Sequence, residues 1–295
     1  MIQKPAYINI KGKLHDLSVP KVMGIINVTP DSFYRGSRVT DEHEIIRVAS
    51  DMLSDGADML DIGGYSTRPG AADVTPDEEK KRVLNALCLI HNTFPDAILS
   101  IDTFRSDIAK EAILNCGASV INDISGGEAD KNMFSVVRDM NVPYIIMHMQ
   151  GKPENMQENP VYEDVVADLL RWFGERIVKL HSMGVKDVII DPGFGFGKTA
   201  EHNYELLDRL GDFSITGLPL LAGLSRKSMV WKTLGVTPDE ALNGTTVLNT
   251  IALMKGADIL RVHDVREAVQ AVRLVEMIKA RDEKKNIMDF ETNAR

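Results

Sequence analysis

Eight short apolar runs, each closed by a polar residue or glycine, constrain this chain more than any other feature. Val22-Met23-Gly24-Ile25-Ile26 ends in Asn27, Met59-Leu60 in Asp61, the run 97–101 in Asp102, and Ser119-Val120-Ile121 in Asn122-Asp123. The run 144–147 ends in His148, Val188-Ile189-Ile190 in Asp191, Leu220-Leu221-Ala222 in Gly223, and Ile259-Leu260 in Arg261-Val262-His263-Asp264. One acid after one apolar run is an ordinary turn or helix cap. Eight such ends in the same orientation match parallel strands whose C-terminal tips share one face, the arrangement of a (β/α)8 TIM barrel with its site on that face. A length of 295 residues with 44% hydrophobic content suits a single barrel domain over 1–295.

The segments between the runs read as helices. Apolar residues at helical spacing mark 41–54, a cap followed by proline and three acids opens one at Thr75, and further helices fall over 105–115, 131–140, 161–183 (the longest) and 201–210. A broken pair over 225–234 and 239–255 separates the last two strands, and 265–280 forms the final helix, with a loose tail over 281–295. Ahead of the barrel, residues 7–17 alternate around Gly12, a β-hairpin within 1–20 that plugs the bottom. Two connections are longer than connectors need to be, 27–40 and 63–75, and read as lids on the active face.

Charge and cysteine content exclude several classes. The net charge of −9 argues against a nucleic-acid partner, and no long apolar segment marks a membrane span. Cys88 and Cys116 are the only cysteines, which argues against a disulfide scaffold or a zinc cluster and favours a reducing, cytoplasmic setting.

Residues 186–198 carry the densest signal: a buried strand ends at Asp191, Pro192 stops the ladder, and three glycines alternate with Phe194 and Phe196 before Lys198. A Walker A loop needs glycine where Pro192 stands, and a dinucleotide fingerprint from Gly193 needs glycine where Lys198 stands. What remains is an acid at the mouth of a flat, ring-walled pocket.

Taken in order, Asn27-Val-Thr-Pro-Asp-Ser-Phe33, Asp61-Ile-Gly-Gly, Ser66-Thr-Arg-Pro-Gly-Ala71, Ile101-Asp-Thr103, Ile121-Asn-Asp123, 191–198, Gly223 with Ser225-Arg-Lys227, and Arg261-Val-His-Asp264 resemble the dihydropteroate synthase family. The resemblance runs from about Val22 to Val265. It implies condensation of 6-hydroxymethyl-7,8-dihydropterin diphosphate with 4-aminobenzoate, releasing pyrophosphate, with magnesium and as a homodimer. Asp102, Asn122 and Asp191 offer a complementary edge to a pterin. The resemblance adds Lys227 at the pterin carbonyl, Met147 and Phe196 on its faces and Gly223 beneath it. The diphosphate falls to Asn27, Asp61, Arg68, Arg261 and His263, with magnesium on Asn27 and arginine supplying a bidentate fork. The 4-aminobenzoate pocket falls to Phe33, Thr67, Arg68, Pro69, Lys227 and Ser228. Asp102, Lys227, Asn27, Arg261 and His263 form the catalytic set, with Asp102 stabilising a pterinylmethyl cation in an SN1-like path. One position departs from the family: Tyr65 stands where an acid is usual after Gly63-Gly64. Two other readings share the pocket: a pterin-binding methyltransferase domain and a non-catalytic pterin-binding barrel.

Overall fold

A computed structural model describes residues 7–29, 42–65, 74–151, 156 and 160–293, with side chains as far as Ala280. The hairpin is β1 (Tyr7–Ile10) and β2 (Lys13–Asp16), paired antiparallel. The barrel strands are β3 (Lys21–Asn27), β4 (Met59–Gly63), β5 (Leu99–Asp102), β6 (Val120–Asp123), β7 (Tyr144–Met147), β8 (Val188–Asp191), β9 (Leu221–Ala222) and β10 (Ile259–Val262). They run parallel in sequential order from β3 to β8, and β10 lies between β9 and β3. An Ile190–Leu220 bridge, with Ile190 N–H donating to the Pro219 carbonyl at 3.0 Å, joins β8 to β9 and closes the ring.

Nine α-helices are described: α1 (Glu42–Ser54), α2 (Pro76–Thr93), α3 (Ser106–Asn115), α4 (Met133–Met140), α5 (Val165–Ser182), α6 (Ala200–Asp208), α7 (Ser228–Leu234), α8 (Leu242–Met254) and α9 (Val265–Asn293). The Thr75 side chain caps α2 by accepting from Glu78 N–H, and Pro76 fills the first turn. Several boundaries move from the sequence expectation, among them the starts of α4 at Met133 and not 131 and of α8 at Leu242 and not 239. α5 starts at Val165, not 161, because Asp164 accepts from Val166 and Ala167 N–H and so fixes the cap there. α7 starts at Ser228, not 225, and α9, not α5, is the longest, its helix continuing past residue 281 to Asn293.

Side chains alternate across each strand, so the barrel has two cores. Residues facing outward pack with the helices, as Leu60, Ile101, Ile121, Ile146 and Ile190 do. Inward-facing Met23, Met59, Val120, Ile145, Ile189, Leu221 and Ile259 form a separate cluster with Ile8, Ile10 and Leu17 of the hairpin segment. The hairpin therefore plugs the N-terminal end, and Asn9 N–H fastens it to the Asp187 carboxylate at 3.0 Å.

Cys88 of α2 and Cys116, which caps α3, form a disulfide with a Cα–Cα distance of 4.2 Å. The cysteine count, which favoured a reducing setting, does not carry that conclusion. Their separation of 28 residues says nothing about their meeting, which depends on α2 and α3 lying side by side around the barrel.

Candidate functional site

Moving two residues along each strand from the inner core layer reaches the next inward position. That step takes Val120 to Asn122, Ile145 to Met147, Ile189 to Asp191, Leu221 to Gly223 and Ile259 to Arg261, while on β3 it takes Met23 to Ile25 and a second step reaches Asn27. These residues, with Asp102 on β5, surround one cavity of roughly 1180 Å³ at the C-terminal face. Phe196, Lys227, Ser228 and His263 complete the set of expected site residues on its wall. Phe33, Thr67, Arg68 and Pro69 lie outside the described residues.

Asp61 does not line the cavity. The sequence ends its strand there, but β4 continues to Gly63, which is the residue level with both Asn27 and Asp102. Asp61 is level with Ser100, one layer deeper, and is fully buried. A carboxylate also lacks donors for a diphosphate. It instead accepts from Arg261 Nε at 2.6 Å and Asn122 Nδ2 at 2.9 Å, and so holds both site residues from below. Arg261 starts as deep as Met23 in the register and reaches upward, its Nη2 meeting Asp102 Oδ2 at 2.6 Å.

The electrostatics follow from burial. Desolvation pushes Asp102 up to about 7; Arg261 pulls it down while Asp61 and Asp123 push it further up. Burial likewise raises Asp191, against the Gly193 N–H that donates to it at 2.8 Å. Burial lowers Lys227 to about 8, and the nearby Asp191 opposes the shift. Its ammonium stands 3.9 Å from the centre of the Phe196 ring. His263 is oriented by Ser225, whose hydroxyl lies 3.0 Å from Nδ1 and accepts from His263 N–H at 3.2 Å. At Gly223 an added Cβ would meet nothing closer than Asp191 Oδ2 at 4.0 Å. The protein itself has room there, so any need for glycine comes from the ligand.

Sequence reasoning missed several wall residues. Trp231 and Lys232 lie three and four positions after Ser228, a helical spacing that places them on its side of α7. Arg226 adopts φ +54° and forks onto Asp264 at 3.0 and 2.7 Å, tying the loop after β9 to the end of β10. Tyr65, the departure from the family pattern, packs edge-on against Phe104 with centroids 5.2 Å apart. Arg105 lies over both rings and pairs with the buried Glu79. A ring therefore meets Arg105 where a second acid would have competed with Glu79.

Asn27 is the only expected metal ligand, and no cluster of three His, Cys, Asp or Glu forms a metal cage among the described residues. One amide oxygen would suit magnesium, an ion that prefers oxygen donors and needs few of them from the protein.

Closed parallel strands with acids, an amide and a lysine around a flat pocket define a pterin-binding barrel enzyme. The family described as "Pterin binding enzyme" matches residues 23–263. Dihydropteroate synthase of Escherichia coli K12 is 43% identical over 277 residues, covering 93% of this chain and 97% of that protein. The Bacillus subtilis enzyme is 38% identical over 275 residues. Among solved structures, Yersinia pestis dihydropteroate synthase in a sulfonamide drug complex superposes with a TM-score of 0.88 at 42% identity, covering 93% of this chain and 99% of that one. The Xanthomonas albilineans enzyme with 4-aminobenzoic acid gives 0.86 at 37%, covering 93% and 98%. The chain belongs to the dihydropteroate synthases.

Proposed function

We propose that the chain joins (7,8-dihydropterin-6-yl)methyl diphosphate to 4-aminobenzoate, giving 7,8-dihydropteroate and pyrophosphate for folate synthesis. The observation that carries this is the convergence of Asp102, Asn122, Asp191 and Lys227 on one cavity beside Asn27, Arg261 and His263. The first four match the donors and acceptors of a pterin edge, with Met147 and Phe196 against its faces. Arg261 and His263 take the diphosphate, and the family resemblance adds Arg68, which lies outside the described residues.

Asn27 would hold magnesium, which when bound neutralises charge on the departing pyrophosphate. The C–O bond to that leaving group breaks first, and the cation left on the methylene spreads into the electron-rich ring. Asp102, ionised and held in place by Arg261, faces that charge. The free arylamine then attacks the methylene and gives up a proton to water. Phe33, Thr67 and Pro69 would wall the second substrate, with Lys227 and Ser228 at its carboxylate. The anion-binding set favours this transfer over the methyltransferase and binding-only readings.

The assay is pyrophosphate release from the dihydropterin diphosphate with magnesium. Release that requires 4-aminobenzoate and collapses in Asp102→Ala supports the reading; pterin binding with no release under either condition refutes it.

A homodimer is part of this proposal. Val247 and Met254 of α8 and Leu274 and Met277 of α9 are half or more exposed, an apolar face suited to a second copy. Sedimentation at micromolar concentration distinguishes dimer from monomer. We place the enzyme in the cytoplasm; no described helix is long and apolar enough to cross a membrane.

A further inference from the structure

Lys198 is the buried cation that the reaction leaves unused. Its side chain is 2% exposed and, although it ends a glycine-rich stretch, it turns away from the cavity. Its Nζ lies 3.0 Å from the Gly193 carbonyl, 3.0 Å from that of Phe196 and 3.3 Å from that of His148, with His148 Nδ1 at 3.1 Å. Carbonyl oxygens only accept, so three of these partners demand protons from Lys198. An ammonium has three to give and a neutral amine two.

The segment it holds carries two pterin contacts. Asp191 precedes it and accepts from Gly193 N–H, and Phe196 lies within it. The segment lies so close to the end of β7 that a Cβ on Gly193 would sit 2.1 Å from the His148 carbonyl, and one on Gly197 2.5 Å from that of Gln150. Both glycines have positive φ, +72° and +59°. The Tyr162 hydroxyl secures the Gly197 carbonyl at 2.7 Å, and Asn203 Oδ1 accepts from Gly195 N–H at 2.7 Å. Backbone packed this tightly needs its carbonyls satisfied from within; Lys198 reaches those of Phe196, His148 and Gly193, the last of which also accepts from Phe196 N–H at 3.1 Å.

We propose that Lys198 is a positioning residue for the pterin subsite: its ammonium rivets the 193–197 segment to the end of β7, presenting Asp191 and Phe196 in register for the ring. The inference rests on the pterin reading above. The groups facing the ammonium are Asp191 at the end of β8, Lys227 ahead of α7 and His148 after β7, with the Tyr162 ring ahead of α5 tilted against His148 at 6.0 Å. Burial and the neighbouring cations Lys198 and Arg176 keep His148 far below the ordinary histidine range, so a neutral ring faces Lys198. Burial also brings Lys198 itself down to about 7, against the pull of Asp191.

The test compares Lys198→Met and Lys198→Arg with the unmutated enzyme, reading kcat and the KM of each substrate. Lys198→Met is expected to raise the KM for the dihydropterin diphosphate about 30-fold, the effect of stranding buried carbonyls, with the 4-aminobenzoate KM within about twofold. Lys198→Arg, which keeps the charge, should recover part of the loss. An unchanged pterin KM, or equal rises in both KM values, overturns the proposal. Failure of the pterin reading looks different, because the unmutated enzyme would then release no pyrophosphate.

If Lys198→Met does not fold, amide hydrogen exchange of residues 193–197 is measured in the unmutated chain at pH 6 and pH 9. Protection, corrected for the intrinsic pH effect, should fall at pH 9 as the ammonium loses its proton. The fall should persist in Lys227→Met, which removes the second lysine beside the segment, the one packed on Gly195. Equal protection at both pH values overturns the proposal.

Discussion

Replacing Arg261 with lysine keeps the charge and removes the fork. The guanidinium now bridges two carboxylates, Nε to Asp61 and Nη2 to Asp102, each at 2.6 Å. One ammonium cannot take both geometries, so the substitution strands one acid, and Asp61 is fully buried. A hydrogen bond to a charged group contributes about 1.5–3 kcal/mol, so losing one of the two should lower unfolding stability by about 2 kcal/mol. Losing bidentate contact with the diphosphate should cost a similar amount, or about a 30-fold rise in its KM. Arg261 is also the strongest influence lowering Asp102, so if the lysine settles on Asp61 the acid limb of kcat/KM moves to higher pH. If it settles on Asp102 the limb stays and the stability loss is larger. Urea unfolding and pH–rate profiles on the same preparations separate these cases. Stability within about 0.5 kcal/mol of the unmutated enzyme, with an unmoved acid limb, would refute the clamp and the role given to Asp61.

The free enzyme should show a bell-shaped kcat/KM for the pterin substrate. Asp102 must be ionised, so activity falls as pH drops through about 7; Lys198 and Lys227 must be charged, so it falls again as pH rises through about 7 and about 8. A profile flat from pH 6 to 9 would contradict both assignments. Reducing the Cys88–Cys116 bond opens a loop spanning 28 positions and should lower stability by roughly 3.5 kcal/mol on the chain-entropy account. Urea midpoints that coincide with and without reductant, and in Cys88→Ser, would show that the bond does not constrain the unfolded chain.

The barrel was legible because its signal repeats: each strand tip is ambiguous alone, but all eight point one way. The strand-tip residues Asn27, Asp102, Asn122 and Asp191, which the structure brings to one cavity, were legible for the same reason, whereas Met147, Phe196, Gly223 and Lys227 came from the family resemblance. Asp61 was misplaced because sequence shows where apolar character stops and not where strand pairing stops. The ladder runs through Gly63 because backbone groups pair whatever side chain they carry. The α5 start was misread because apolar spacing continues upstream of the Asp164 cap. The disulfide was invisible for want of any pattern linking helix neighbours across the barrel. Trp231 and Lys232 had a signal, their spacing from Ser228, but α7 was read as half of a broken helical pair and not as a wall.

The hairpin beneath the barrel has a consequence for traffic. Ile8 and Ile10 fill the lower end of the cylinder against Met23, Met59 and Ile189, so among the described residues the vessel opens at its C-terminal mouth. Two reactants and two products, one of them a bulky dianionic or trianionic leaving group, must share that doorway. Entry of the arylamine and exit of pyrophosphate then compete for the same opening, and turnover becomes a problem of queueing as much as of chemistry.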